Sequence, residues 1–193
     1  MAARRLLVVV DYQRDLVEGP LGFAAAAALE APLCEAARAC AAEGGEVAFL
    51  LDTHEQKYLL TREGRTRPVK HAIKGTPGHE LYGKVGRLAA DLTSVQRRAD
   101  GRIAPAAVLL EKPAAGGLSL AEYLQKERPY SVIELSGIDT QGSLLAAAVI
   151  AQAASPESEI RVDRRRVASA DEEALAAALA AIARLGGRVV GDA

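Results

Sequence analysis

The chain has 193 residues, 50% of them apolar and 25% charged, a composition that suits one globular domain over 1–193 with a substantial core. A net charge of -1 gives no electrostatic footing for nucleic acid or an anionic membrane surface, so neither is expected as a partner. The basic start, Met1-Ala2-Ala3-Arg4-Arg5, leads into an apolar run over 6–10 that Asp11 ends, too short for a signal-peptide core or a membrane span.

The run 6–10 is the first predicted strand. A helix is predicted over 32–43, with Pro32 in its first turn and Gly44-Gly45 as its stop. Both cysteines, Cys34 and Cys40, fall on this helix six residues apart and so on different faces; they are read as reduced thiols, and the compartment as cytoplasmic. A strand over 46–51 follows. The stretch 54–84 is polar, holds Gly64, Pro68, Gly75, Pro77, Gly78 and Gly83, and shows no clean period. Loops of that length in a compact domain usually serve function. Further strands are predicted at 107–110, 131–135, 159–162 and 187–190, and helices at 118–127, 142–154 and 171–185. Asp171-Glu172-Glu173 places acidic residues at a helix N-terminus, where the dipole favours them. Short, continuous apolar strands alternating with Ala-rich helices predict a three-layer α/β/α fold around a six-stranded parallel sheet.

In such a sheet ligands bind beyond the carboxyl ends of the strands. Asp11, Asp52, His54, Lys112 and the turn 139–143 all fall at strand ends, so one site is expected there on pattern alone. Asp52 and His54 are two apart in extended chain, which points both side chains to the same side. A third ligand from the following loop would complete a His-His-carboxylate metal site with open positions for water and substrate.

The segments Val10-Asp11-Tyr12-Gln13-Arg14-Asp15, Asp52-Thr53-His54, Glu111-Lys112-Pro113 and Gly137-Ile138-Asp139-Thr140-Gln141-Gly142-Ser143 together resemble the isochorismatase-like hydrolase superfamily, which includes the nicotinamidases and other cysteine amidohydrolases. The resemblance implies a Rossmann-like fold with Asp11 as proton acceptor and Lys112 as charge stabiliser. It puts the nucleophile at residue 143, where this chain has Ser143 in place of cysteine. It implies His71 as the third metal ligand beside Asp52 and His54, with zinc the default ion and iron or manganese the alternatives. It also implies a non-proline cis peptide between Ile138 and Asp139, an oxyanion hole from the backbone N–H groups of Asp139 and Ser143, and a homo-oligomer. Gln141 and Gly142 depart from the motif as well, and three neighbouring departures argue for natural divergence. His79 is read as a loop surface residue.

The exchange of thiol for hydroxyl matters chemically. Free cysteine ionises near ~8.5, whereas a serine hydroxyl is far less acidic and a carboxylate near ~4 is a weak base for it. Neither Cys34 nor Cys40 lies at a strand end to substitute. The sequence therefore leaves three functions open. The first is a divergent hydrolase of a small-molecule C–N bond, acting on something other than nicotinamide. The second is a cysteine-independent enol-ether hydrolase with Asp11 as general acid. The third is a binding or structural protein that keeps the pocket without turnover. Where the resemblance puts an aromatic box, this chain has Leu16, Pro68 and Ala115; Tyr12 and Tyr123 are the candidates for an aromatic wall, and Phe23 and Phe49 lie off those positions. A wider, more aliphatic pocket is expected. Arg164-Arg165-Arg166 is read as a solvated loop or oligomer contact, or more sharply as a counter-charge for an acidic substrate at the pocket rim.

Overall fold

Six parallel strands carry the molecule: β1 (Arg5–Val10), β2 (Glu46–Asp52), β5 (Ala107–Lys112), β6 (Val132–Gly137), β7 (Glu159–Val167) and β8 (Arg188–Val190), in the order β5-β2-β1-β6-β7-β8. Between them in the chain, β3 (Gln96–Arg97) and β4 (Ile103–Ala104) pair as a separate short antiparallel hairpin. This computed structural model describes residues 4–99, 101–127 and 129–191, so the first three residues of the basic start lie outside it.

Alternate residues of the central strands feed two separate cores, as the two-residue period of a strand requires. Leu7, Val9, Val47, Phe49 and Leu51 point to one face, under α3 (Glu30–Ala42) and α5 (Gly83–Thr93). Leu6, Val8, Val10, Ala48 and Leu50 point to the other, under α6 (Leu118–Lys126), α7 (Leu145–Ala154) and α8 (Glu172–Arg184). The result is the expected α/β/α sandwich. Two shorter helices, α1 (Arg14–Val17) and α2 (Ala24–Ala28), follow β1, and α4 (Arg62–Thr66) follows β2. Asp171 caps α8, its Oδ1 accepting from the N–H groups of Glu173 at 2.9 Å and Ala174 at 3.1 Å. Cys34 and Cys40 are free, buried thiols on α3. No described helix is long and apolar enough to cross a membrane.

Several elements differ from the sequence expectation. The stretch 54–84 is folded locally, with 3₁₀ turns at Tyr58–Leu60 and Pro77–His79 around α4. The helix α5 starts at its last residues; Val85, Leu88, Ala89 and Leu92 form its buried stripe, and Gly83 and Gly86 hide its period. β7 runs on through Val167, with acidic partners along its arginines. Arg164 pairs with Glu172, Arg165 with Asp163, and Arg166 with Glu134 and Asp163. None of the three lines the cavity, so they are no counter-charge at its rim, and Arg165 stays solvated at 67% exposed. Helix α7 begins at Leu145, preceded by a π-helical turn, Thr140–Leu144.

Candidate functional site

The register of the sheet assembles the site. Val10 lies beside Leu50 of β2 and Gly137 of β6, and Asp52 lies beside Lys112 of β5. The residues that follow these positions therefore meet at one carboxyl edge, where the connection order reverses on either side of β1. Asp11 leaves β1 with φ +53°, a left-handed conformation that L-residues adopt at some cost, and its N–H donates to the Leu50 carbonyl at 2.9 Å. At Gly137, φ is +104° and a Cβ would sit 2.2 Å from the Val10 carbonyl oxygen, so only glycine lets β6 turn so close to β1. The Ile138–Asp139 peptide beyond it is cis. Thr140 ties the following turn to the end of β7 through its Oγ1, which donates to the Ala168 carbonyl at 2.8 Å.

Lys112 is the hub. Its side chain is 1% exposed, and Nζ donates to Asp11 Oδ2 at 3.0 Å, Ser143 Oγ at 3.2 Å and Asp52 Oδ1 at 3.3 Å. Burial alone would push its ammonium towards neutrality, but the Asp11 and Asp52 carboxylates raise it above the ordinary lysine value. Burial and the nearby Asp52 push the Asp11 carboxyl up to about 6, with Lys112 and Ser143 pulling the other way. Asp52 is also buried, yet the facing His54 and His71 rings and the Lys112 charge hold it well below the usual carboxylate range. Two neighbouring carboxylates thus differ in basicity because only one is saturated with donors.

The other oxygen of Asp52 faces two imidazoles. Oδ2 lies 3.1 Å from His54 Nε2 and 3.3 Å from His71 Nε2. Donor atoms of Asp52, His54 and His71 all fall within 4.8 Å of one another, and all three residues are buried. His71 Nδ1 donates to the Val69 carbonyl at 2.7 Å, which leaves Nε2 as a lone pair, and that buried atom makes no hydrogen bond. Tyr58 packs against both rings, its centroid 4.4 Å from His54 and 5.0 Å from His71. Two imidazole nitrogens and a carboxylate oxygen gathered this closely in a buried setting fit a divalent cation.

Two residues inside the quoted motif have roles that the sequence did not assign. Gln13 is fully buried; its Oε1 accepts from the Asp52 N–H at 2.8 Å and its Nε2 donates to the Asp52 carbonyl at 2.8 Å. It therefore fixes the backbone that carries Asp52. Asp15 accepts from the Ala72 N–H at 3.0 Å and so holds the loop bearing His71. Their place after Asp11 was visible, but a partner distant in sequence was not. His79 is half-buried rather than a surface residue, with Nε2 2.9 Å from Thr53 Oγ1.

Above these groups opens a cavity of about 960 Å³, with Asp11, Asp52, His54, Asp139 and Ser143 in its wall and Lys112 and His71 beneath. Leu16 and Ala115 line it as expected. Pro68 does not, and its neighbour Arg67 takes that place. Tyr123 is at the opposite end of the sheet, its hydroxyl donating to Glu46 at the start of β2 at 3.1 Å. Tyr12 is buried with its hydroxyl on the Ala26 carbonyl at 2.9 Å. Aromatic rings do reach the cavity, from Phe23 and Tyr58, so the wall is not the aliphatic one expected.

The sequence profile of the isochorismatase domain matches residues 5–193. No curated protein matches the chain in sequence. Among solved structures, a nicotinamidase/pyrazinamidase from Bacillus subtilis is 25% identical with a TM-score of 0.81, covering 97% of this chain and 99% of that one. A pyrazinamidase from Pyrococcus horikoshii, solved in complex with zinc, is 20% identical with a TM-score of 0.73 over 98% of this chain and 99% of its own. An N-carbamoylsarcosine amidase from Thermoplasma acidophilum is 20% identical with a TM-score of 0.72, covering 97% and 96%.

Proposed function

The chain belongs to the isochorismatase domain family, and from that premise we propose that it hydrolyses an amide-type C–N bond of a small molecule other than nicotinamide. In this reading Ser143 is the nucleophile, Asp11 its proton acceptor and Lys112 the fixed cation between them. The observation that carries the reading is the single Lys112 Nζ within hydrogen-bond distance of Asp11, Asp52 and Ser143 in a buried setting.

Lys112 donates to Ser143 Oγ, which leaves the hydroxyl's own proton free for another acceptor. Asp11 offers one, since its Oδ1 is buried without a hydrogen-bond partner. With its carboxyl raised to about 6, Asp11 is a better base than an ordinary carboxylate and is still ionised at neutral pH. Ser143 Oγ adds to the amide carbon as its proton passes to Asp11. The backbone N–H groups of Asp139 and Ser143 are the proposed donors to the oxygen that gains charge. Asp11 then returns the proton to the departing amine as the C–N bond breaks. A water attacks the acyl-serine in the same manner, releasing the acid and restoring the hydroxyl.

Asp52, His54 and His71 are the proposed ligands of a divalent cation, zinc by their nitrogen and oxygen chemistry, with iron or manganese as alternatives. Such an ion would supply Lewis-acid polarisation of a substrate oxygen or nitrogen. The volume of the cavity, about 960 Å³, supports a ligand larger than nicotinamide, with Leu16 and Ala115 beside Phe23 and Tyr58 in its wall.

The raised Asp11 carboxyl favours one second reading, protonation of an enol ether without a covalent intermediate. A screen of small amides, carbamates and enol ethers with metal-loaded protein separates the two. Amide hydrolysis lost in both Ser143→Ala and Asp11→Asn is the expected result. Enol-ether cleavage that survives Ser143→Ala and fails in Asp11→Asn would select the second reading. Ligand binding without any turnover would leave a binding protein.

A further inference from the structure

Beside Ser143, the side chain of Asp139 stands in the cavity wall and takes no part in the chemistry above. Asp11 and Asp52 share the Lys112 ammonium, whereas Asp139 has no ion pair among the described residues. It occupies the cap position of the π-helical turn yet makes no side-chain capping bond. Its Oδ1 is buried without a hydrogen-bond partner. Gly142 keeps the carboxyl open to the cavity: a Cβ there would lie 3.8 Å from Asp139 Oδ2, so any longer side chain would spread over it. The cavity rim carries both signs, Arg62 and Arg67 with Glu55 and Glu63, and so selects little.

A carboxylate with no ion pair in a partly buried wall is costly. Here it also opposes the chemistry, because negative charge beside the Asp139 and Ser143 N–H groups disfavours negative charge on the substrate oxygen. Burial pushes the Asp139 carboxyl up, against the pull of the Ser169 hydroxyl, the Arg67 charge and the Gln141 and Thr140 N–H groups. A ligand cation at Oδ2, the oxygen on the Gly142 side of the cavity, would relieve both penalties at once.

We infer that the Asp139 carboxylate is a specificity site for a positively charged nitrogen group, a primary ammonium or amidinium, on the substrate near the bond to be cleaved. The inference rests on Ser143 marking the reacting end of the cavity. It goes further in naming the substrate class: amides that also carry a cation, in preference to neutral or acidic ones.

Three benzamides that differ only in the meta group test it: aminomethyl, methyl and carboxylate. Calorimetric titration of the full-length protein near neutral pH reads binding without turnover, so the test stands even if no hydrolysis is found. The aminomethyl compound is expected to bind at least about tenfold more tightly than the methyl one, a charged hydrogen bond's contribution, and the carboxylate most weakly. Asp139→Asn, of the same size, should erase the preference while leaving the methyl compound's affinity within about twofold. Gly142→Leu should reduce the preference with the charge still in place. Equal or absent binding of the cation overturns the inference, as does a preference that survives in Asp139→Asn. Tightest binding of the carboxylate also overturns it and assigns recognition to Arg62 and Arg67.

Discussion

Replacing Lys112 by methionine keeps much of the side-chain volume and removes the charge that three buried groups share. Asp11 is 3% exposed and Asp52 7% exposed, so neither carboxylate can turn to water when the ammonium is lost. Removing one partner of a buried ion pair typically costs ~3–5 kcal/mol, because the remaining charge is stranded. Against a total stability of ~5–15 kcal/mol that is a large fraction. At ~2–4 °C per kcal/mol for a chain of this length, the melting temperature should fall by roughly 6–20 °C. Urea denaturation of Lys112→Met and of the Lys112→Met, Asp11→Asn double variant measures the coupling. The double variant should recover at least ~1 kcal/mol, since one of the two stranded charges is gone. A divalent cation should reduce the cost further, because it would sit beside Asp52. A loss below ~1 kcal/mol for Lys112→Met, with no recovery in the double variant, would refute Lys112 as the counter-charge that holds the site together.

Elemental analysis of protein purified without chelator should find about one divalent transition metal per chain, lost in a His54→Ala, His71→Ala double variant. Ser143→Cys should label with a thiol probe faster than a free model thiol near neutral pH, because the Lys112 charge favours the thiolate; slower labelling in folded protein would mean the site no longer supports an anion. At the far end of the sheet, hydrogen bonds from Tyr130, Arg4 and Arg98 overcome burial and lower the Glu46 carboxyl to about 2 from its usual 4.5. A depressed carboxyl stabilises the fold above the unfolded value, so Glu46 should contribute about 3 kcal/mol at neutral pH and lose it as the pH falls from 4.5 towards 2. The difference in urea stability between the natural chain and Glu46→Gln should shrink across that window; a constant difference would contradict it.

The sheet was legible because its strands are short, apolar and bounded by glycines and acidic residues, and because strand ends place Asp11, Asp52, His54 and Lys112 without further information. What sequence could not supply was contact between distant segments. Gln13 reads as an ordinary polar residue until Asp52 is placed beside it. Phe23 and Tyr58 reach the cavity from loops whose path has no periodic signal. Tyr123 sits on the predicted helix, but its hydroxyl reaches Glu46 at the amino end of the strands, away from the site. Helix α5 was obscured by two glycines with local reasons to be there. At Gly86 a Cβ would lie 2.7 Å from the Leu81 carbonyl oxygen, and Gly83 has φ +53°. Of the triple arginine only Arg165 is solvated as read; the acidic partners of Arg164 and Arg166 lie on α8 and β6, out of reach of a sequence reading.

The central claim is that Ser143 does covalent chemistry in a site whose resemblance calls for a thiol. Rapid-quench mass spectrometry during exposure to a p-nitrophenyl ester, followed by peptide mapping, reads this directly. An acyl group should appear on Ser143, fail to form in Ser143→Ala, and form far more slowly in Asp11→Asn. Turnover of the same ester that is unchanged in Ser143→Ala, with no adduct on residue 143 in the natural chain, would contradict the account.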